Sequence, residues 1–214
     1  MRYLIVCGGK IDKEFGLNEI KTDGIDAIIA ADSGMDFLYE NGVTPDIIVG
    51  DFDSATTKAL EFFERKGQTE IHRLNPIKDD TDTEYAIRLA IREGARSIVM
   101  LGATGSRIDH VLGNISLLGM GLESKADISI IDTNNRIRMA DKPVTIEKSA
   151  QYGRFVSLIA VTDDNEVSLR GFKYPVTDYS FDRFTSLGIS NEIIDEHAVI
   201  DIHRGKFIII ESKD

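Results

Sequence analysis

With one cysteine, Cys7, in 214 residues, the chain cannot form an intramolecular disulfide or a cysteine-built zinc cluster. Cys7 closes an apolar run that begins at Tyr3 and reads as a buried core residue. Basic residues are in deficit: Lys plus Arg number 25 against 36 Asp plus Glu, a formal net charge of −11. That field repels a polyanion, which excludes nucleic acid as a partner and requires any bound anion to be held locally. Long hydrophobic runs are missing too. None approaches the roughly 18 apolar residues of a membrane span, and no basic stretch followed by a long apolar one opens the sequence. No membrane association and a cytoplasmic location are the default expectations. Two familiar nucleotide signatures are absent: there is no G-x-x-x-x-G-K-[ST], and Gly8-Gly9 lacks the remaining spacing of a dinucleotide fingerprint. Gly119-Met120-Gly121 falls at a helix end rather than after a strand. There is no internal repeat and no low-complexity segment.

What the chain does have is apolar content, 42% of residues, enough to bury a sizeable core. Apolar runs at Arg2 to Cys7, Ala27 to Ala31, Ile47 to Val49, Glu70 to Leu74, Ser97 to Leu101 and Asp127 to Ile131 read as strands. Between them, helical spacing appears after Gly34, at Leu60, Phe62 and Phe63 before Gly67, from Thr81 or Asp82 to Glu93, and from about His110 to Gly121. This alternation predicts an α/β domain with a parallel sheet between two helical layers. After Ile131 the segments become short and often alternating: Arg136 to Ala140, Val144 to Glu147, Phe155 to Val161, Glu166 to Leu169, Ala198 to His203 and Phe207 to Glu211. They predict a small all-β sandwich domain. The expected division is 1–134 and 135–214.

Parallel sheets bind ligands beyond the carboxyl ends of their strands. The polar clusters fall there: Asp32-Ser33-Gly34, Gly50-Asp51-Phe52-Asp53-Ser54, Asp79-Asp80-Thr81-Asp82, and Gly102 through His110. An extended backbone through Gly50-Asp51-Phe52-Asp53 would put Asp51 and Asp53 on one side and Phe52 on the other. Two like charges about 4 Å apart repel by roughly 1 kcal/mol in water and about 4 at a protein surface, so such a pair calls for a cation. Oxygen-only ligands favour Mg²⁺ over Zn²⁺. The competing reading makes these aspartates caps of the next helix. Gly102 to Ser106 offers backbone N–H groups to an anion, and Arg107 a bidentate fork; Arg107 could equally pair with Asp109. Lys78 is open between phosphate contact and solvation, and His110 between proton acceptor and structural residue. His72, His197 and His203 read as structural. Of the aromatics Phe172, Tyr174, Tyr179, Phe181 and Phe184, most are expected in the sandwich core.

In this order, Ala31-Asp32-Ser33-Gly34, Gly50-Asp51-Phe52-Asp53-Ser54, Asp79-Asp80-Thr81-Asp82 and Gly105-Ser106-Arg107-Ile108-Asp109-His110 resemble the thiamine pyrophosphokinase (thiamine diphosphokinase) family. Gly171-Phe172-Lys173-Tyr174 and Thr185 to Asn191 extend the resemblance over nearly the whole chain. It implies ATP-dependent transfer of a diphosphate group to the hydroxyl of thiamine, with AMP released. It further implies Asp51, Asp53 and Asp82 as Mg²⁺ and catalytic carboxylates, with Arg107 beside them. The nucleotide-binding set it implies is Asp32, Ser33, Gly34, Asp79, Thr81, Gly102, Thr104, Ser106, Arg107, Asp109 and His110. Ser190 and Asn191 resemble the family's thiamine-contacting pair. Residues 1–134 would then bind ATP and 135–214 thiamine, in a homodimer with sites at the subunit interface. A diphosphokinase acting on another hydroxymethyl heterocycle, such as a pterin, is the related alternative. A catalytically silent nucleotide-sensing module is the alternative from a different class.

Overall fold

A computed structural model describes residues 1–52, 56–75 and 80–214. The chain divides into two units, Met1–Thr133 and Asn134–Asp214. In the first, strands β1 (Arg2–Val6), β2 (Ala27–Ala31), β3 (Ile47–Gly50), β4 (Glu70–Arg73), β5 (Ser97–Leu101) and β6 (Asp127–Ile131) alternate with helices. These are α1 (Lys13–Ile20), α2 (Gly34–Glu40), α3 (Thr57–Lys66), α4 (Asp82–Arg92), α5 (Ile108–Leu117) and α6 (Gly119–Ser124). The strands pair in parallel in the order β6-β5-β1-β2-β3-β4. Chain progression therefore runs outward from β1 to β4, then returns to the other side of β1 for β5.

Burial follows the pleat. Leu4 and Val6 of β1 join Ala30, Ile48, Met35, Leu38, Ala59 and Phe63 in one core, against which Phe15 and Ile20 of α1 also pack. The opposite parity, Tyr3 and Ile5, is equally buried, as are Ala86, Leu89 and Ala90 on one stripe of α4. A strand buried on both faces must be apolar throughout, which is why β1, β2 and β5 read as continuous runs. Sinking Phe63 completely contributes about 1.5–3 kcal/mol.

Two features depart from the sequence expectation. Helix α1 was not anticipated: Asp12 caps it by accepting the Phe15 N–H at 2.9 Å, but Gly16 interrupts its apolar stripe. The segment from His110 to Gly121 is not one helix, because the Leu118 N–H turns back to the Ile115 carbonyl at 3.2 Å and separates α5 from α6.

The second unit contains β7 (Asn135–Ala140), β8 (Val144–Glu147), β9 (Phe155–Ala160), β10 (Glu166–Arg170), β11 (Val176–Ser180), β12 (Asn191–Glu192), β13 (His197–Arg204) and β14 (Phe207–Ser212). They form antiparallel ladders in the orders β12-β9-β14-β7 and β11-β10-β13-β8. Alternate residues of both fill one core that includes Val156, Leu158, Val167, Ile200, Phe207 and Ile209. The expectation that most of its aromatics are core is corrected here. Phe172 and Phe181 are buried, but Tyr174, Tyr179 and Phe184 are exposed, Phe184 at 91%. Strands β11 and β12 went unread because β11 is exposed along most of its length and β12 is two residues long. Among the described residues, no helix is long and apolar enough to cross a membrane.

Candidate active site

A cavity of about 790 Å³ opens at the carboxyl ends of the parallel strands. Its walls are Cys7 to Lys10 after β1, Asp32 and Ser33 after β2, Asp51 after β3, and Gly102 with Gly105 to Arg107 after β5. Asp80 to Thr83, at the start of α4, and His110 and Asn114 of α5 complete it. The strand order reverses between β1 and β5, and loops leaving adjacent strands at such a switch point diverge and leave a crevice.

Close backbone approach shapes that crevice. The β1 and β5 loops remain paired past the sheet, with Cys7 N–H to the Leu101 carbonyl at 2.8 Å and Gly9 N–H to the Gly102 carbonyl at 2.9 Å. A Cβ at Gly9 would collide with the Gly102 carbonyl oxygen, and one at Gly34 with the Val6 carbonyl. Only glycine permits three loops to meet this tightly. Asn114 donates to the Ala103 carbonyl at 2.8 Å and Thr104 to the Asp132 carboxylate at 2.8 Å, which pins the β5 loop from behind.

Three carboxylates converge on the rim. Oxygen atoms of Asp32, Asp51 and Asp82, each half-buried, lie within 4.8 Å of one another. Asp32 adopts φ +49 as the chain turns out of β2, a conformation short polar residues tolerate. Asp82 opens α4, whose cap Thr81 accepts the Glu84 N–H at 3.2 Å. At such separations each like-charged pair repels by about 1 kcal/mol in water and roughly 4 at a protein surface. All donors are oxygens, a set suited to a hard divalent cation.

Opposite charge comes from Arg107 and Lys10. Arg107 chelates Asp109 (Nη2 to Oδ2, 2.6 Å; Nε to Oδ1, 3.3 Å), as the ion-pair reading expects, and its side chain also lines the cavity. Its guanidinium holds the Asp109 carboxyl below the ordinary value. Burial pushes the Cys7 thiol up to about 12, opposed weakly by the Thr83 hydroxyl at 3.8 Å. A thiol so protonated is no nucleophile at neutral pH.

Of the residues expected at the site, Asp32, Ser33, Asp51, Thr81, Asp82, Gly102, Ser106, Arg107 and His110 line the cavity. Gly34, Thr104 and Asp109 do not line it: Gly34 packs on the Val6 carbonyl, Thr104 bonds Asp132, and the exposed Asp109 pairs with Arg107. Asp53, Asp79 and Lys78 lie outside the described residues. The extended backbone drawn through Asp51 to Asp53 is corrected: β3 stops at Gly50 and Phe52 sits at φ +64, with its ring packed on the core. Strict alternation therefore does not place Asp51; the turn does. Sequence reasoning let the Asp32 cluster converge with the other acidic clusters but assigned Asp32 to the nucleotide rather than to the metal, and missed Gly8, Gly9, Lys10, Thr83 and Asn114. The signal for Gly8 and Gly9 was their place after a strand, set aside because the dinucleotide spacing was absent.

In the second unit, Ser190 is exposed and holds φ +59. Its N–H donates to Ser157 Oγ at 2.9 Å. Asn191 is buried at 6% exposure. Its Oδ1 accepts the N–H groups of Tyr174 (3.1 Å) and Glu192 (2.9 Å), and its Nδ2 donates to the Tyr174 carbonyl (2.9 Å). Asn191 thus clamps the loop that presents the exposed Tyr174 ring. Lys173 and Arg154 both pair with Glu192, at 2.8 and 2.9 Å, and hold its carboxyl below the ordinary value.

The family model described as thiamin pyrophosphokinase, catalytic domain, matches residues 21–131, and that for the vitamin B1 binding domain matches residues 143–207. A thiamine pyrophosphokinase of Bacillus subtilis (strain 168) is 35% identical over 188 residues, 87% of this chain and 87% of the relative. The crystal structure of thiamine pyrophosphokinase from Bacillus subtilis superposes with a TM-score of 0.88 at 31% identity, covering 100% of both chains. The thiamin pyrophosphokinase structure from Geobacillus thermodenitrificans gives 0.86 at 29% identity, over 100% of this chain and 98% of that one.

Proposed function

This chain belongs to the thiamin pyrophosphokinase family, and on that premise we propose that it transfers a diphosphate group from Mg²⁺-ATP to the hydroxyl of thiamine, yielding thiamine diphosphate and AMP. The observation that carries the reading is the meeting of Asp32, Asp51 and Asp82 within 4.8 Å at the switch point of a parallel sheet. Three carboxylates, two from strand-end turns and one from the first turn of α4, fit a small hard cation, and these residues would hold it, with Asp53 assigned beside them from the sequence. When bound, the cation would neutralise charge on the phosphate oxygens.

The chain's own groups do the rest by positioning, as phosphoryl transfer requires. Backbone N–H groups of the Gly102 to Ser106 loop face the phosphates. Arg107, anchored by Asp109, adds positive charge where negative charge develops. The thiamine hydroxyl oxygen bonds to the β-phosphorus in line with the bond to the α–β bridging oxygen. That bond breaks, AMP leaves with the electron pair, and the hydroxyl proton passes to a rim carboxylate. In the second unit the exposed Ser190 contacts thiamine, while Asn191 acts by holding Tyr174 in place.

A homodimer is part of the proposal. Exposed Phe184, Leu187, Ile189 and Ile194 in the second unit, and Ile108 and Leu112 in the first, give apolar surface for a second copy. The vitamin B1 binding match favours thiamine over a pterin alcohol. The deciding experiment incubates the protein with Mg²⁺, ATP and thiamine and separates the products. AMP with thiamine diphosphate is expected. ADP with thiamine monophosphate, or turnover only with a pterin alcohol, overturns the proposal.

A further inference from the structure

Outside the cavity wall, three titratable side chains form a chain of contacts that the proposed reaction does not use. His72 of β4 approaches the Tyr85 hydroxyl of α4 through Nδ1 at 3.1 Å and the Glu70 carboxylate through Nε2 at 2.6 Å. The His72 and Tyr85 rings meet edge to face, centroids 6.0 Å apart at 63°. The carboxylate only accepts, so Nε2 carries a proton; in the neutral ring Nδ1 then accepts from the tyrosine hydroxyl. The His72 side chain is 20% exposed, and that of Glu70 is 68% exposed.

Position gives these contacts a consequence. β4 pairs with β3 in the register Val49 with His72 and Gly50 with Arg73, and Asp51 follows Gly50 directly. On the other side, the Tyr85 N–H closes the first turn of α4 on the Thr81 carbonyl at 2.9 Å. Tyr85 stands three residues after Asp82 and so shares its helix face. The His72–Tyr85 hydrogen bond therefore joins the sheet edge next to Asp51 to the helix face that carries Asp82. Rolling α4 about its axis would break this bond and carry Asp82 away from the other two carboxylates.

We propose that Glu70, His72 and Tyr85 form a brace that sets the approach of Asp82 to Asp51 and so tunes the affinity of the rim for its divalent cation. They are positioning residues, and the proposal rests on the cation-site reading above. The test uses the full chain and its Tyr85→Phe, His72→Phe, His72→Gln and doubly substituted Tyr85→Phe/His72→Phe forms. Mn²⁺ binding is read by electron paramagnetic resonance with α,β-methylene-ATP present, alongside the Mg²⁺ concentration at half-maximal rate, the KM for thiamine and the melting temperature. Tyr85→Phe should weaken Mn²⁺ binding about fivefold, the scale of one net hydrogen bond. The half-saturating Mg²⁺ concentration should rise in step and the KM for thiamine should stay put. The double variant should lose no more than His72→Phe, and His72→Gln, which keeps an acceptor for Tyr85, should lose less. Unchanged Mn²⁺ affinity in Tyr85→Phe, with or without a lower melting temperature, overturns the brace alone. No Mn²⁺ binding by the unsubstituted protein overturns the cation site and the brace together.

Discussion

Two acidic centres in this molecule have opposite surroundings. Glu211 points inward from β14 at 0% exposure, and Arg136 (2.7 Å) and Arg138 (2.9 Å) close on its two oxygens while the Tyr152 N–H donates at 2.9 Å. Its charge is balanced by the unit that buries it. Asp32, Asp51 and Asp82 instead gather like charge at a cavity mouth, the first two from strand ends and the third from the start of α4. The first carboxylate sits in a closed ion-pair cluster, whereas the other three share one rim, and on the proposed function that shared charge attracts a cation.

Substitution should separate the two centres. Glu211→Gln leaves two arginines around a neutral amide, and removing one partner of a buried pair costs about 3 kcal/mol or more. Urea unfolding should show that loss; a change below about 1 kcal/mol would mean the arginines find other partners and Glu211 is no keystone. Asp51→Asn should do the reverse, cutting turnover at least about 100-fold, near 2.7 kcal/mol of barrier, with a melting temperature unchanged or higher because repulsion is relieved. Turnover within a few-fold of the parent would remove Asp51 from the site.

A smaller effect tests the cavity's backbone. Gly9→Ala forces a methyl group onto the Gly102 carbonyl, so stability should fall by about 1–3 kcal/mol and the KM for ATP should rise. Stability and nucleotide binding both unaltered would show that the β1 loop does not shape the pocket. The smallest effect concerns Asp109, whose pKa lies below its ordinary value of 3.8, chiefly through the Arg107 hydrogen bond. Because the folded value is depressed, the pair's contribution is complete above 3.8 and is lost as pH falls through the lower folded value. Titration followed by carboxyl carbon NMR should place the Asp109 midpoint below 3.8 and return it upward in Arg107→Gln.

Much of this contrast was legible from residue order, and the reason is physical. β1, β2 and β5 are apolar on both faces and cannot be mistaken for amphipathic helices, and a parallel sheet gathers its carboxyl-end loops on one edge. Asp32, Asp51, Asp82 and Arg107 were visible for that reason. What stayed hidden depended on single backbone turns or on partners distant in sequence. Phe52 at φ +64 gives no sign in its residue type, since bulky side chains rarely adopt that conformation. Glu211 occupies an inward position where alternation predicts an apolar side chain, and only Arg136 and Arg138, far away in sequence, make it tolerable there. Asn191 resembles a ligand contact, yet its amide is occupied by the Tyr174 backbone.

Diffraction from crystals grown with Mn²⁺ and α,β-methylene-ATP, collected at the manganese edge, tests the aspartate rim most directly. An anomalous peak within bonding distance of carboxylate oxygens from Asp32, Asp51 and Asp82, shared with the phosphates, is the expected result. Nucleotide bound in the cavity with manganese absent from that rim, or bound elsewhere on the chain, would contradict it.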